Sequence, residues 1–149
     1  KRMGTAGALG LLSEEPEESF FVMNADILTN VNFDHLHSFH ISNNSVGTMC
    51  VQYYDFQVPY GVVDIENTKI LSVKEKPKKR YFVNAGIYMF SPEVLQFIPD
   101  NKFYDMPSLF EKLISENKKV ISFPLREYWL DIGRIEEYKK ANEEYEEIF

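Results

Sequence analysis

The segment Phe20-Phe21-Val22-Met23-Asn24-Ala25-Asp26 joins four consecutive apolar residues to a short stretch that ends in an aspartate. A continuous apolar run of this length is typical of a strand buried on both faces, as in a parallel sheet with helices on either side. In open α/β sheets, ligands bind beyond the carboxyl ends of the strands. Asp26 is therefore a candidate ligand-binding carboxylate, although an Asp at this place is also a common turn or helix-capping residue.

Strands and helices alternate along the rest of the chain. Apolar and β-branched runs predict further strands at 46–56, 62–65, 70–73, 83–90, 120–123 and 129–130. Helical spacing and capping residues predict helices at 5–13, from 32 onward, after Ser91-Pro92, at 106–117 and at 134–148. This order predicts a single α/β sandwich domain over residues 1–149 with a mixed sheet.

The composition excludes several classes of protein. The chain has 149 residues, 44% of them apolar and 26% charged, as in an ordinary soluble domain. A net charge of -7 argues against nucleic acid or an anionic membrane as a partner. Neither a signal peptide nor an apolar run of about 20 residues occurs, so we expect a cytoplasmic protein. The single cysteine, Cys50, cannot form a disulfide framework, and we expect it to be a buried small hydrophobe.

A second candidate carboxylate ends another apolar segment, Trp129-Leu130-Asp131-Ile132-Gly133. Asp131 is also suited to capping the helix that follows. Together with Asp26, however, it supplies two carboxylates at matching strand ends. Mg²⁺ takes only one or two protein carboxylates and completes its shell with water and substrate phosphates. The two residues therefore predict one magnesium site.

Two further stretches offer polar groups to a small ligand. Lys76 precedes Pro77, which predicts an extended backbone and a side chain aimed as a fixed point charge at a phosphate. The alternative is that Lys76 belongs to the solvated charge run of its neighbours. Asn84 offers donors and acceptors to sugar hydroxyls, and the adjacent small residues let a ligand approach the backbone.

Six motifs, in order along nearly the whole chain, resemble the nucleotidyltransferases that make nucleotide-sugars, such as mannose-1-phosphate guanylyltransferases and glucose-1-phosphate thymidylyltransferases. They are GTAGAL (4–9), VMNAD (22–26), PYGVV (59–63), VKEKP (73–77), VNAGIYMF (83–90) and WLDIGRIEEY (129–138). The resemblance implies a Rossmann-like three-layer sandwich with a mixed, mostly parallel sheet. It also implies a cytoplasmic, Mg²⁺-dependent transferase of nucleotide-sugar and polysaccharide biosynthesis.

The resemblance assigns roles to particular residues. The implied substrates are a nucleoside triphosphate and a sugar 1-phosphate, with a mild preference for GTP and a hexose 1-phosphate such as mannose 1-phosphate. A homo-oligomer is a separate expectation that stays open. Asp26 and Asp131 are the implied metal ligands, and Lys76 the implied phosphate-binding catalytic residue. The nucleotide side is implied to be lined by Gly4 and Thr5, and the sugar pocket by Gly61, Glu75, Val83, Asn84 and Trp129.

Two departures from the family pattern qualify these expectations. The Gly-rich signature with Arg and Lys that grips the triphosphate is absent, so we expect the chain to be a C-terminal portion of a longer domain, truncated at its N-terminus and inactive alone. Ala25 also stands where Gly often precedes the Asp. Two alternatives stay open: a nucleotide-sugar-dependent glycosyltransferase, which more typically has two Asp one residue apart, and a non-catalytic regulatory or assembly module of the same fold.

Overall fold

The computed structural model describes residues 1–12, 14 and 16–148. Four α-helices occur in these residues: α1 (Gly4–Gly7), α2 (Phe33–Ser42), α3 (Met106–Ser115) and α4 (Ile135–Ile148). Two 3-10 helices cover Ala8–Leu11 and Pro92–Phe97. The strands are β1 (Phe20–Met23), β2 (Ile27–Thr29), β3 (Gly47–Gln57), β4 (Val62–Glu66), β5 (Lys69–Lys74), β6 (Lys78–Phe90), β7 (Val120–Pro124) and β8 (Trp129–Asp131).

The central sheet has the order β1-β6-β3-β7. In it, β1 pairs antiparallel with β6, with Phe20 opposite Phe90, whereas β3 pairs parallel with β7, with Gly47 opposite Val120. A mixed sheet flanked by helices confirms the predicted α/β class. The remaining four strands form two smaller antiparallel sheets, β2-β8 and β4-β5.

Strand β6 is buried on both faces over residues 85–90. Its side chains alternate between two core clusters, with Tyr88 and Phe90 in one and Ile87 and Met89 in the other. The first cluster is covered mainly by α3, through Met106, Leu109, Phe110 and Leu113. The second includes Leu36 of α2. Helices therefore cover both faces of the sheet, which is the three-layer arrangement that the resemblance implies.

The expected double burial of β1 is wrong. Phe21 and Met23 are each 42% exposed, and only the alternate residues Phe20 and Val22 pack against a core cluster. Within the described residues β1 is hydrogen-bonded on one side alone, to β6. Because successive side chains of a strand point to opposite faces, an unbroken apolar run does not by itself place both faces in a core.

Local signals in the sequence account for several helix ends. The side chain of Asn32 accepts a hydrogen bond from His35 N at the start of α2, and Asp105 caps α3 in the same way through Ser108 N. Ser91 does precede a short helix with Pro at its start, but its hydroxyl makes no cap and donates instead to Ser45 O. The helix expected after Ser91-Pro92 is therefore present, but as a 3-10 helix, and the expectation that Ser91 caps it is wrong.

Cys50 is fully buried in the second core cluster, as expected. Burial raises the pKa of its thiol to about 12, with the charge of Glu127 adding to the effect. The thiolate, which is the reactive form, is therefore disfavoured, and Cys50 acts as a packing residue.

The chain divides into two compact units. Unit 1 comprises residues 1–51 and 84–149, and unit 2 comprises residues 52–83. Unit 1 contains both core clusters and all four α-helices. Unit 2 contains the β4-β5 hairpin, whose turn carries Asn67 in a left-handed conformation at φ 52°. None of the helices over the described residues has the length and apolar character needed to span a membrane.

Candidate functional site

A cleft of about 490 Å³ opens in unit 1 where β1 ends. It is lined by Thr5, Met23, Asn24, Ala25 and Asp26. Two of the residues predicted from sequence to touch ligand, Thr5 and Asp26, therefore line one cavity. The small Ala25 side chain keeps the backbone between Asn24 and Asp26 accessible.

Asp26 and Asp131 lie side by side. A Cβ placed on Gly133 would be 3.0 Å from Oδ1 of Asp131 and 3.3 Å from Oδ2 of Asp26, so the two oxygens can be no farther apart than the sum of these distances, about 6.3 Å. The β2-β8 pairing produces this proximity, because Ile27 stands opposite Asp131 and Ile132 N donates to Asp26 O at 2.8 Å.

Asp26 and Asp131 are brought together in a different way from the one expected, which was that they follow strands ending at the same edge of the sheet. Asp26 does follow β1, but it comes beside Asp131 because β2 and β8 pair antiparallel, and not because two parallel strands end at one sheet edge. Asp131 also makes no helix cap: its Oδ1 accepts from Gly133 N at 2.9 Å, and α4 begins at Ile135.

The pair of aspartates fits a hard divalent cation. Both side chains are exposed at the surface, both offer carboxylate oxygens, and the space between them is kept clear by the absence of a side chain on Gly133. No cluster of three or more His, Cys, Asp or Glu suited to a metal occurs in the described part of the chain. Two carboxylates with open positions suit Mg²⁺, which keeps several waters and binds substrate phosphates.

Gly4 and Thr5 both have structural roles, and Thr5 also lines the cleft. Gly4 has φ 78°, and a Cβ there would lie 2.3 Å from Tyr104 O. The hydroxyl of Thr5 accepts from Met106 N at 2.9 Å, at the start of α3. Their predicted contact with a nucleotide remains a prediction, and the small size of Gly4 has a packing explanation independent of it.

Asn84 lies in a segment of β6 that is hydrogen-bonded to Trp129 of β8. Asn84 Oδ1 accepts from Gly86 N at 2.9 Å, and Trp129 Nε1 donates to Ala85 O at 2.7 Å. Gly86 has φ 71°, its carbonyl accepts from Asn24 N at 2.9 Å, and a Cβ on it would lie 2.8 Å from Asn24 Nδ2. This segment of β6 is therefore hydrogen-bonded to Asn24 and to Trp129. Each of these residues lies two positions before one of the paired aspartates, Asp26 and Asp131.

In unit 2, Gly61 and Glu75 are neighbours, since a Cβ on Gly61 would lie 3.1 Å from Glu75 Oε2. Lys76 follows directly, and its side chain is exposed. Val83, also predicted to line the sugar pocket, is half-buried near the unit's end. The structure therefore brings together Gly61 and Glu75 within unit 2.

The extended backbone expected for Lys76 is wrong. Its φ is 44°, in the left-handed region, despite the following proline. Two hydrogen bonds hold this turn: Lys76 N donates to Tyr60 O at 3.3 Å, and Gln57 Nε2 donates to Lys76 O at 3.2 Å. Such a conformation costs about 1–3 kcal/mol for a residue with a side chain and is concentrated at functional sites.

Asn24 and Tyr88 were not predicted from sequence to have a role at the site. Asn24 lines the cavity, and the hydroxyl of Tyr88 accepts a hydrogen bond from Asn84 Nδ2 at 2.7 Å. Gly86 was among the small residues expected to allow close approach of a backbone, and its left-handed φ agrees with the rule that a glycine inside an apolar strand marks a bulge or such an approach.

These features define an α/β protein with an open cleft and a paired carboxylate site beside it. The model of the Nucleotidyl transferase family matches residues 1–148. The chain belongs to that family of nucleotidyltransferases. The resemblance to this family is therefore confirmed.

Similar proteins agree with this assignment. A probable mannose-1-phosphate guanylyltransferase 3 of Arabidopsis thaliana is 36% identical over 146 residues, covering 91% of this chain and 43% of the relative. A mannose-1-phosphate guanyltransferase of Saccharomyces cerevisiae is 31% identical over 148 residues, covering 91% and 40%. The chain thus spans less than half the length of these curated relatives.

A solved structure shows the same fold. A putative glucose-1-phosphate thymidylyltransferase from Bacillus anthracis, in complex with a sucrose, superposes with a TM-score of 0.69. The match covers 96% of this chain and 61% of the other at 20% identity. The similarity supports the α/β fold predicted from sequence.

Proposed function

We propose that the protein containing this chain transfers a nucleoside monophosphate from a nucleoside triphosphate to a sugar 1-phosphate and releases pyrophosphate. The observation that carries this proposal is the placement of Asp26 and Asp131 around Gly133, beside the cleft that Asp26 lines. Two adjacent carboxylates at an open cleft suit a ligand that brings its own phosphates together with a cation.

The reaction needs positioning and charge neutralisation more than a covalent nucleophile. A phosphate oxygen of the sugar 1-phosphate forms a bond to the α-phosphorus, and the bond from that phosphorus to the pyrophosphate oxygen breaks. Asp26 and Asp131 would hold Mg²⁺, which when bound offsets negative charge on the phosphates. Lys76 would hold the sugar phosphate, and Asn84 would bind sugar hydroxyls.

The remaining roles follow the family pattern. Gly4 and Thr5 would lie against the nucleotide at the cleft, where Thr5 already contributes to the lining. The sugar contacts that the family pattern assigns to Gly61, Glu75, Val83 and Trp129 stay predictions for each residue.

GTP and mannose 1-phosphate are the preferred substrates in this proposal. The GTAGAL motif resembles guanylyl- and uridylyltransferases more than thymidylyltransferases. Two relatives with at least 31% identity are named mannose-1-phosphate guanylyl- or guanyltransferases. The preference therefore rests on motif and relatives.

The direct test is a screen of the full-length protein for pyrophosphate release. Four nucleoside triphosphates would be paired with mannose, glucose and galactose 1-phosphates in the presence of Mg²⁺. Highest turnover with GTP and mannose 1-phosphate is expected. Turnover with a different pair would keep the reaction and reject the preference, whereas nucleotide-sugar binding without any turnover would favour the non-catalytic module.

The two aspartates can be tested in the same assay. Asp26→Asn or Asp131→Asn should lower turnover by about a hundredfold or more, because loss of a ligand charge weakens a cation worth several kcal/mol to the reaction. Asp34→Asn provides the control, since Asp34 is exposed in the first turn of α2. Equal activity of all three variants would reject the carboxylate pair as the metal site.

A further inference from the structure

Tyr88 places a phenol inside the first core cluster. The residue is 2% exposed and its ring stacks on Phe90 at 6.0 Å between centroids, with Phe110 at the same distance. Burial raises the pKa of the phenol, and the hydrogen bond with Asn84 acts in the opposite direction. Aromatic packing therefore holds the hydroxyl in one place.

The hydrogen bonds determine how the Asn84 carboxamide is turned. Gly86 N carries only a proton to donate, so the atom 2.9 Å from it must be the acceptor Oδ1. This leaves Nδ2 facing the Tyr88 oxygen at 2.7 Å, where it donates. The carboxamide is anchored at both its oxygen and its nitrogen.

The anchored group still has hydrogen-bonding capacity. A carboxamide has two N–H donors and two acceptor lone pairs, and one of each is used here. Asn84 is exposed, and its side chain makes no other hydrogen bond among the described residues, which leaves the second N–H and the second lone pair available to a ligand. One donor beside one acceptor is complementary to adjacent hydroxyls, each of which both donates and accepts.

We propose that Tyr88 is a positioning residue for the sugar site: its buried hydroxyl orients the Asn84 carboxamide for the hydroxyls of the sugar 1-phosphate. The inference rests on the proposed function, since it takes Asn84 to bind the sugar. Tyr88 itself does not touch the substrate. Its contribution is to restrict the rotation of Asn84 before binding, which lowers the entropy lost when the sugar binds.

Tyr88→Phe in the full-length protein isolates this contribution, because it removes only the hydroxyl and keeps the ring. The KM for the sugar 1-phosphate should rise about fivefold, the factor expected from one neutral hydrogen bond. The KM for the nucleoside triphosphate and kcat should stay within about twofold of their original values, since one anchoring bond to Asn84 remains. Equal loss in kcat and in both KM values would show a general structural defect and overturn the proposal.

Thr48→Val is the matched control. Thr48 is fully buried, and its hydroxyl also makes a hydrogen bond, to His40 Nδ1 at 2.8 Å. The substitution removes a buried hydroxyl of unit 1 that makes no hydrogen bond to Asn84 among those found in the described residues. An equal rise in the sugar KM in this variant would show that any lost core hydroxyl has the effect, and would overturn the proposal.

A double mutant tests whether Tyr88 acts through Asn84. In an Asn84→Ala background, Tyr88→Phe should change the sugar KM by less than about twofold, because the group it orients is gone. A full additional fivefold rise would mean that the two residues act independently, which would contradict the inference.

A readout independent of turnover separates this inference from the proposed function. The side-chain NH₂ resonances of Asn84, assigned by their loss in Asn84→Ala, should exchange faster with solvent in Tyr88→Phe than in the original protein. Unchanged exchange would overturn the positioning role. Faster exchange in a protein that releases no pyrophosphate with any substrate pair would retain the Tyr88–Asn84 coupling and reject the proposed function.

Discussion

At the scale of single residues, Lys76 combines an unusual backbone with an exposed ammonium group. Its φ of 44° is held by hydrogen bonds from its own N–H to Tyr60 O and from Gln57 to its carbonyl. A lysine in this region is strained, whereas glycine adopts it without cost. A strained lysine at a position that glycine would adopt without cost indicates a role for the lysine side chain.

Substitutions of Lys76 can therefore distinguish the function of its side chain from the strain in its backbone. Both Lys76→Ala and Lys76→Gly should lower turnover at least about tenfold, while Lys76→Gly leaves the free energy of unfolding equal or up to about 1 kcal/mol higher. Steady-state kinetics and urea denaturation measure the two effects. Lys79→Ala, in the neighbouring charge run, should leave both unchanged. Full activity in the Lys76 variants would return Lys76 to that solvated run.

At the scale of elements, α1 is held by backbone contact with the segment that leads into α3. Ala6 N and Gly7 N both donate to Tyr104 O, at 3.0 and 2.9 Å. A Cβ on Gly7 would lie 2.7 Å from Lys102 O. The close packing of α1 against this segment therefore requires glycine at position 7 as well as at position 4. The GTAGAL motif thus has a packing role whatever its contact with nucleotide.

We expect Gly4→Ala to lower the free energy of unfolding by at least about 2 kcal/mol, because the new methyl group meets Tyr104 O and the left-handed φ is strained. Gly10→Ala is the matched control: its Cβ would lie 3.4 Å from Ile98 Cγ2, an ordinary contact. That variant should stay within about 0.5 kcal/mol of the original. Chemical denaturation measures both, and equal stabilities would contradict the close approach.

Helix α2 is attached to the sheet through a buried histidine. His40 is 1% exposed, and its two ring nitrogens contact Thr48 Oγ1 at 2.8 Å and Ser91 Oγ at 3.2 Å. Burial lowers the pKa of His40, with the charge of His37 adding to the effect. The folded protein therefore binds a proton at His40 less readily than the unfolded chain does.

The consequence is a loss of stability in acid. As the pH falls below about 6.5, the unfolded chain takes up a proton at this residue before the folded protein does, so the free energy of unfolding decreases. Urea denaturation at pH 7.5 and 5.5 should show a larger decrease for the original protein than for His40→Gln. His35→Gln, exposed on the same helix, should retain the original decrease. Equal decreases in all three proteins would contradict a role for His40.

At the scale of the whole molecule, the two compact units differ in burial. No residue of 52–83 is buried, whereas unit 1 contains both core clusters. Half-exposed apolar and aromatic side chains make up much of unit 2, including Tyr53, Phe82, Ile65 and Val73. Within unit 2, Arg80 and Asp55 form an exposed ion pair, and Arg80 lowers the pKa of Asp55 through a hydrogen bond and Coulombic attraction.

Few buried apolar contacts predict low local stability. Backbone amides of β4 and β5 should exchange with deuterium at least tenfold faster than those of 85–90 in β6, measured by mass spectrometry under native conditions. The 47–51 stretch of β3, which lies in unit 1, serves as an internal reference. Equal protection across both units would mean that the whole chain opens only by global unfolding.

The sequence by itself determined the local features. The apolar runs of β1 and β3, the start of α2 beside Asn32, the amphipathic α3 and the burial of Cys50 follow from spacing, residue type and side-chain size within a few residues. The family motifs and both candidate carboxylates were also visible, since each occupies a short stretch whose residue types carry the information.

Only the tertiary structure decided which segments meet. The three-residue β2 was not predicted, because it is defined by its pairing with β8, and that pairing brings Asp26 to Asp131. Likewise, β6 rather than β1 is the strand buried on both faces, and the turn at Lys76 is set by bonds to Gln57 and Tyr60. The physical reason is that pairing and burial depend on contacts between segments distant in sequence, which override local preferences.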